Sequence, residues 1–348
     1  MSTFSADQLR EIASRILQGA GVATEDANIV AAELADANLV GHDSHGLIRL
    51  MQYAGQIRDG FLKPDAQLKV IVDKPALTVL DGGCHFGQVV ATRALRLAMD
   101  GARRSGSFTA FCRNCWHVGR LGSYTMKAAR QGFAAIMAVN GPGGGGVVPW
   151  GGLERRLGTN PISISAPRGD DAIVLDMTTS VTAEGKVRVA FQKGEPVPPG
   201  WIIDADGNPT TDPADFYRDD SGAILPLGDA MGFKGFGLGV MLDIICGILS
   251  GFGIARPEIP PGANGVWLQM IDIEQLMSRD DYTTWIEKYV TWIKSARKAP
   301  GVSEILMPGE IEAQRQAARR AEGVTIPEET WGQIRQLADK LGVLLEGI

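Results

Sequence analysis

The first sixty residues carry apolar positions at helical spacing. Leu9, Ile12 and Ile16 follow the capping box of Ser5 and Gln8 and predict a first helix. Thr24 is the expected cap of a second helix ending at Gly41, and Asp43 or Ser44 that of a third. In this third helix Leu47, Leu50, Met51, Ala54 and Ile57 share one side until Gly60 and Pro64 end it. From Leu68 the period shortens. LKVIV and ALTVLDG read as strands, followed by a helix over 89–103, a strand SFTAF, a helix over 124–130 and a strand FAAIMAVN. ISISAP and AIVLDM continue the strands. Then come a helix over 183–192, a hairpin around WIIDADGNPTTDP, a buried helix ending near Ser250, and the strand VWLQMIDI. Residues 282–297, 310–321 and 328–341 are helical again and are expected to pack on the N-terminal helices. The pattern predicts an α/β chain, with a mixed α/β domain over 67–277 and a helical lobe built from both termini, 1–66 and 278–348.

Composition narrows the function classes. A chain of 348 residues is long enough for a large core in two packed lobes. A formal charge of -6 gives no electrostatic footprint for a nucleic acid or an anionic membrane. The N-terminus lacks a basic stretch followed by an apolar core, and the most apolar run, 237–254, is broken by glycines and Asp243. No signal peptide or membrane span is read, so the expected location is the cytoplasm. Cys112 and Cys115 form a CxxC pair, but neither further zinc ligands at suitable spacing nor a following helix accompanies them. Reduced thiols at a strand end are expected, and no metal.

The chemistry concentrates in GHDSHGLIRL, residues 41–50. On the predicted helix His45 and Arg49 lie four apart and share a face, which Gln52 and Gln56 continue. An imidazole can exchange a proton with a carbonyl or hydroxyl oxygen, and a guanidinium can hold a carboxylate by two parallel hydrogen bonds. Together they describe a site for a 2-oxo acid. By spacing alone, an exposed polar face capped by Asp43 is the plainer reading, and His42 is taken as structural. His117, in RNCWHVGRLGSY between a strand end and a glycine-punctuated helix start, is a second candidate. His85 has a similar setting and no visible partner. Gly141, Gly143 and Gly146 formally satisfy GxGxxG, yet Pro149, Gly151 and Gly152 prevent the helix that a dinucleotide loop must open. VLDMTTSVTAEGK offers an acid, hydroxyls and amides to a phosphate or ribose. MGFKGFGLG sets Lys234 among glycines, and Pro308 to Glu310 begins a helix; unaided, each reads as an ordinary turn or cap.

GHDSHGLIRL, WHVGRLGSY, GGLERRLGTNPISISAP, VLDMTTSVTAEGK, GWIIDADGNPTTDP, LPLGDAMGFKGFGLGVMLDIICGILSG and PGE occur in this order. Together they resemble the malate/L-lactate dehydrogenase family of NAD(P)-dependent oxidoreductases, which includes ureidoglycolate, sulfolactate and diketogulonate enzymes. The resemblance implies a mixed-sheet, non-Rossmann dinucleotide-binding domain, a homodimer, NAD or NADP as cofactor, and a small 2-oxo or 2-hydroxy acid as substrate. It implies His45 or His117 as the proton-transfer residue, Arg49 on the substrate carboxylate, and Thr159 and Asn160 near the reacting centre. Its implied cofactor contacts are Ser44, Asn140, Asp176, Met177, Thr178, Thr179, Ser180, Phe233, Lys234, Pro308, Gly309 and Glu310. Reduction of a cyclic imine carboxylate and NAD(P) binding without turnover are the alternatives it leaves, beside a redox or metal protein built on Cys112 and Cys115. Phe233 and Trp116 stand where members of the family vary, which leaves the substrate open.

Overall fold

The computed structural model describes residues 2–141, 145–218, 221–256, 262–345 and 347. Strand β1 (Ser2–Phe4) pairs antiparallel with β12 (Val324–Ile326), which ties the two ends of the chain together. Helix α1 (Ala6–Gly19) opens on the expected box: Ser5 Oγ accepts from the Gln8 amide at 3.2 Å, and the Ser5 amide donates back to Gln8 Oε1 at 2.8 Å. Leu9, Ile12 and Ile16 are all buried. Helix α2 (Thr24–Leu39) begins at Thr24 itself, the residue expected to cap it, with Ala23 at the cap position and no side-chain cap. Helix α3 (Arg49–Arg58) completes the N-terminal layer. Near the C-terminus, α9 (Glu310–Glu322) packs on α2, and α10 (Glu328–Lys340) packs on α1 and α3. The remaining C-terminal helix, α8 (Arg279–Lys294), departs from the expected packing. It lies against the sheet at β6 (Ile162–Arg168), held by Arg168 to Glu287 at 3.0 Å and by the Tyr282 hydroxyl to Pro167 O at 3.0 Å.

The central sheet has seven strands in the order β2 (Lys69–Lys74), β3 (Leu77–His85), β4 (Ser107–Cys115), β11 (Asn264–Asp272), β5 (Phe133–Asn140), β6 and β7 (Asp171–Met177). Only β3 and β4 run parallel, joined by the crossover helix α4 (Gly87–Ser105); every other neighbouring pair is antiparallel. A doubly wound parallel sheet is thereby excluded, as the failed glycine fingerprint implied. Gly143 of that fingerprint lies outside the described residues, and Val147 beyond it pairs as an isolated bridge with Leu157 instead of opening a helix. Helices α4 and α5 (Leu121–Ala129) cover one face of the sheet. Phe108, Ala110 and Cys112 point into that layer at the two-residue period of β4, so Cys112 packs as a small core residue, and Cys115 is buried with it as a free thiol.

Helix α7 (Phe233–Leu242) and its π-helical continuation Asp243–Ile248 lie on the opposite face. This segment was expected to be wholly buried. Leu242 and Cys246 pack against Ala138 and Ile162, and Asp243 and Gly247 are buried with them, but Met241, Ile248 and Leu249 are exposed. A smaller sheet, β10 (Ala223–Ile224), β8 (Ile202–Ile203) and β9 (Pro209–Thr210), contains the expected hairpin and packs near α6 (Glu184–Lys193) around Val187, Ile202 and Phe216.

Candidate active site

Residues expected on one helix are brought together here by a different route. The third helix does not begin at Asp43 or Ser44. A single 3-10 turn, Asp43–His45, is broken by Gly46 at ψ -153°, and α3 starts only at Arg49, with Ile48 at its cap. His45 and Arg49 therefore do not share a helical face. The cause is tertiary. Asn38 Oδ1 accepts from the Leu47 amide at 2.9 Å, and Asn38 Nδ2 donates to Asp43 at 2.7 Å. The backbone at Gly46 passes so close that a Cβ there would sit 2.1 Å from Asn38 Oδ1. Arg319 of α9 fixes the turn from outside by donating to Asp43 Oδ1 at 2.7 Å. Asp43 thus serves as an anchor, and Ser44 turns its hydroxyl to His45 Nδ1 at 3.1 Å.

His45 and Arg49 stay adjacent all the same. Arg49 Nε donates to Ser44 O at 2.7 Å and Nη1 to Gln52 Oε1 at 2.6 Å. His117 then joins them from the loop after β4, its ring stacked on that of His45 at 5.4 Å between centroids and 24° between planes. Gly87 permits this, because a Cβ there would lie 2.1 Å from Trp116 O and 2.6 Å from the His117 carbonyl carbon. His117 Nδ1 meets the hydroxyl of Tyr53, 2.7 Å away, which in turn accepts from Gln88 Nε2 at 2.7 Å. Tyr53 and Gln88 are fully buried, and neither was singled out in the sequence. Tyr53 follows the periodic stripe of α3 and reads there as a core aromatic, which conceals its polar end.

The two imidazoles retain some accessible surface but are packed closely by protein. Burial first, and then the neighbouring Arg49 guanidinium, push His45 down to about 3 and hold His117 well below the usual histidine range. Both are neutral at pH 7 in the free protein. Among the described residues the Nε2 atoms of both rings and Nη2 of Arg49 have no protein partner, and Nη1 of Arg49 spends one of its two hydrogens on Gln52, so two imidazole nitrogens and at least one hydrogen on each Nη are available to a ligand.

A cavity of about 400 Å³ is lined by Arg120, Val174, Asp176 and residues 308–310, with His45, Arg49 and His117 outside its lining. Arg120 is buried at the cavity, pairs with Asp36 at 2.9 Å, stands 3.9 Å from Asp176, and its charge helps to lower His45. Asp176 accepts from the Gly122 amide at 2.8 Å, while burial raises its carboxyl. Gly309 lies at φ 93°, a Cβ there would sit 3.3 Å from Val174, and Pro308 O accepts from the Val174 amide. Glu310 bonds the Met307 amide at 2.9 Å and Lys294 at 2.7 Å. Thr178, Thr179 and Ser180 turn their hydroxyls back onto Ser180 O, Thr159 O and Thr182 O, which stiffens the turn after Met177. That turn packs on the first turn of α7, where Gly235 lies against Thr179 O and where Phe233 and Lys234 are exposed. Lys234 forms no ion pair among the described residues.

Asn140 and Asn160 play a different part. Asn140 is fully buried, donates to Asp243 and Gly253 O at 2.9 Å each, and accepts from the Gly265 amide at 2.9 Å. Asn160, at φ 32°, donates to Gly239 O at 2.9 Å and accepts from Gly141 N at 3.1 Å. Their amides tie strand ends to α7. Thr159 is half-buried, and its carbonyl carries the Thr178–Ser180 turn. His42 stands 3.7 Å from Glu312 at the cavity side, and burial lowers it. His85 pairs with Asp26 at 3.1 Å as a structural histidine.

Residues 4–335 match the family model described as malate/L-lactate dehydrogenase. A malate dehydrogenase of Pyrococcus horikoshii is 36% identical over 345 residues, covering 97% of this chain and 95% of the relative. The solved structure of malate dehydrogenase from P. horikoshii OT3 superposes with a TM-score of 0.89 over 99% of this chain and 96% of that one, at 33% identity. An L-lactate dehydrogenase of Cupriavidus necator is 34% identical, covering 97% of this chain and 98% of that protein. The structure of a delta1-piperideine-2-carboxylate reductase from Pseudomonas syringae pv. tomato superposes with a TM-score of 0.84 at 28% identity, covering 97% of this chain and all of that one.

Proposed function

The chain belongs to the malate/L-lactate dehydrogenase family and is a dehydrogenase acting on a 2-hydroxy acid; from that premise we propose that it interconverts a small 2-oxo acid and its 2-hydroxy acid with NAD or NADP. The observation that carries this reading is the convergence of His45, His117 and Arg49 with their outward atoms unspent. Arg49 is placed to hold the substrate carboxylate, which leaves the C2 oxygen beside the imidazoles. A nicotinamide dinucleotide supplies the hydride acceptor or donor. The residues that would hold such a group are those at the cavity, Asp176 and residues 308–310, those of the stiff turn at Met177 to Ser180, and Ser44, Phe233 and Lys234. Asn140, Thr159 and Asn160 act from behind, by fixing the strand ends under it.

The expected result is oxidation of NADH or NADPH by the purified protein with at least one small 2-oxo acid, undiminished by chelator. A panel of 2-oxo acids read at the nicotinamide absorbance tests this, and loss of turnover with chelator counts against the scheme. A cyclic imine carboxylate belongs in the same panel, because Arg49 suits its carboxylate equally and the reductase from P. syringae shares the fold.

A homodimer is part of the same proposal. Trp285, Tyr289 and Trp292 line the outer side of α8, 65%, 56% and 74% exposed, and Ile248 and Leu249 add further uncovered apolar surface. Patches of this kind on a folded chain mark association surfaces. Light scattering is expected to give twice the chain mass, and a Trp285→Glu, Trp292→Glu variant to shift toward the single chain.

A further inference from the structure

We propose that Tyr53 and Gln88 are positioning residues that fix neutral His117 with its proton on Nε2, so that His117 offers a hydrogen-bond donor to the substrate oxygen while His45 takes and returns the proton. The proposal rests on the dehydrogenase reading above. It starts from the direction of the hydrogen bonds. Gln88 Nε2 can only donate, so at 2.7 Å the Tyr53 oxygen is the acceptor. The one hydrogen of the Tyr53 hydroxyl then has to find its own acceptor, and His117 Nδ1, also 2.7 Å away, is the atom in reach. A neutral imidazole that accepts at Nδ1 carries its proton on Nε2. Turning the Gln88 amide around would let its oxygen accept from Tyr53, but would leave the amide nitrogen of this fully buried side chain without an acceptor. As placed, only the amide oxygen lacks a partner among the described residues. An unpaired buried N–H is the rarer and costlier omission.

The two histidines consequently differ in what they tolerate. Protonating His117 would place an N–H at Nδ1 against the Tyr53 hydroxyl, whose own hydrogen would then find an acceptor in Gln88 only by turning the amide and leaving its buried nitrogen unpaired. His45 faces no such conflict. The Ser44 hydroxyl, 3.1 Å from its Nδ1, can rotate to donate to the neutral ring or accept from the charged one. The charged and titratable groups around His117 are Arg49 of α3 and His45 of the preceding turn, and both oppose a proton there. In oxidation, the substrate hydroxyl gives its proton to His45 Nε2 as C2 loses a hydride, which a bound nicotinamide would accept, so C2–O becomes a carbonyl. His117 keeps its proton throughout and bonds the oxygen from Nε2. Reduction reverses each step.

The chain has four histidines, so protein labelled with ¹⁵N in histidine gives an assignable spectrum, with His117 identified by the signal missing from His117→Ala. In the free wild-type protein near neutral pH, His117 is expected to show the pattern of the Nε2–H tautomer. Tyr53→Phe is expected to convert it to an exchanging mixture whose titration moves up toward ordinary histidine. The KM for the acid should rise by up to about tenfold while turnover changes less, the same direction as losing the His117 hydrogen bond to the substrate oxygen. Gln88→Met, which frees the Tyr53 hydroxyl to turn, is expected to act in the same direction more weakly. An Nδ1–H tautomer in the wild type would overturn the proposal, and so would an unchanged tautomer and titration in Tyr53→Phe. The wild-type tautomer is read without substrate or variant, so this result stands apart from whether any 2-oxo acid is turned over.

Discussion

Replacing His45 with alanine is expected to lower turnover about a hundredfold while leaving NADH affinity within a few-fold of the wild type, the usual scale for losing a positioned acid or base. His117→Ala is expected to act more on the KM for the acid, because it removes a hydrogen bond to the substrate oxygen and leaves the proton carrier in place. The pH dependence gives the sharper test. His45 is held down to about 3 by burial and by Arg49, so in the free protein it is neutral through the whole range from pH 8 to pH 5. Oxidation needs that neutral ring. Its kcat/KM should therefore pass through pH 6.5 with no inflection from histidine and fade only at much lower pH. Reduction needs the imidazolium, the minor form everywhere above its pKa, so kcat/KM in that direction should fall about tenfold per unit as pH rises across neutrality. A carboxylate seated on Arg49 offsets part of the guanidinium's effect on His45, which places the inflection in kcat at higher pH than that in kcat/KM. His45→Ala should lose these slopes together with the activity. If His45→Ala keeps near-normal turnover and pH profile while His117→Ala abolishes activity, the two roles are reversed.

Arg49→Lys is expected to weaken the acid by about 2 kcal/mol, roughly thirtyfold in KM, since an ammonium cannot reproduce two parallel hydrogen bonds to a carboxylate. A second loss follows from the internal bonds of Arg49. Its Nε holds the Ser44 carbonyl and its Nη1 holds Gln52, so lysine also releases the turn that carries His45, and kcat should drop with KM. Cofactor binding, read by quenching of protein fluorescence, should change little. Equal damage to NADH and acid binding would remove Arg49 from the substrate site.

Much of the fold was legible because its signals are local. The Ser5 and Gln8 box, the alternation through β4 and the punctuation by glycine and proline act over a few residues, and they placed the long helices and the central strands close to their observed bounds. The candidate residues were legible as residue types in ordered motifs. Their geometry was not. Helical spacing put His45 and Arg49 on one face, yet Asn38, Asp43 and Arg319 impose a broken turn, because satisfying buried amides there outweighs the preference of a short segment for helix. The apolar pattern of the segment ending near Ser250 declared it buried, but hydrophobicity records only that water is unfavourable, and part of this surface faces outward.

The sequence by itself determined the class of structure, the residue types able to bind a carboxylate and move a proton, and the exclusion of a glycine-loop dinucleotide fold. Only the tertiary structure decided that His117 stacks on His45 and that Tyr53 and Gln88 stand behind it. It also decided that Arg120 stands at the cavity, 3.9 Å from Asp176. These contacts link α3, α4, the loop after β4 and β7, segments that no short-range period connects. Their hydrogen-bond directions follow from which donors and acceptors are buried together, a property of the packed chain and of no single segment within it.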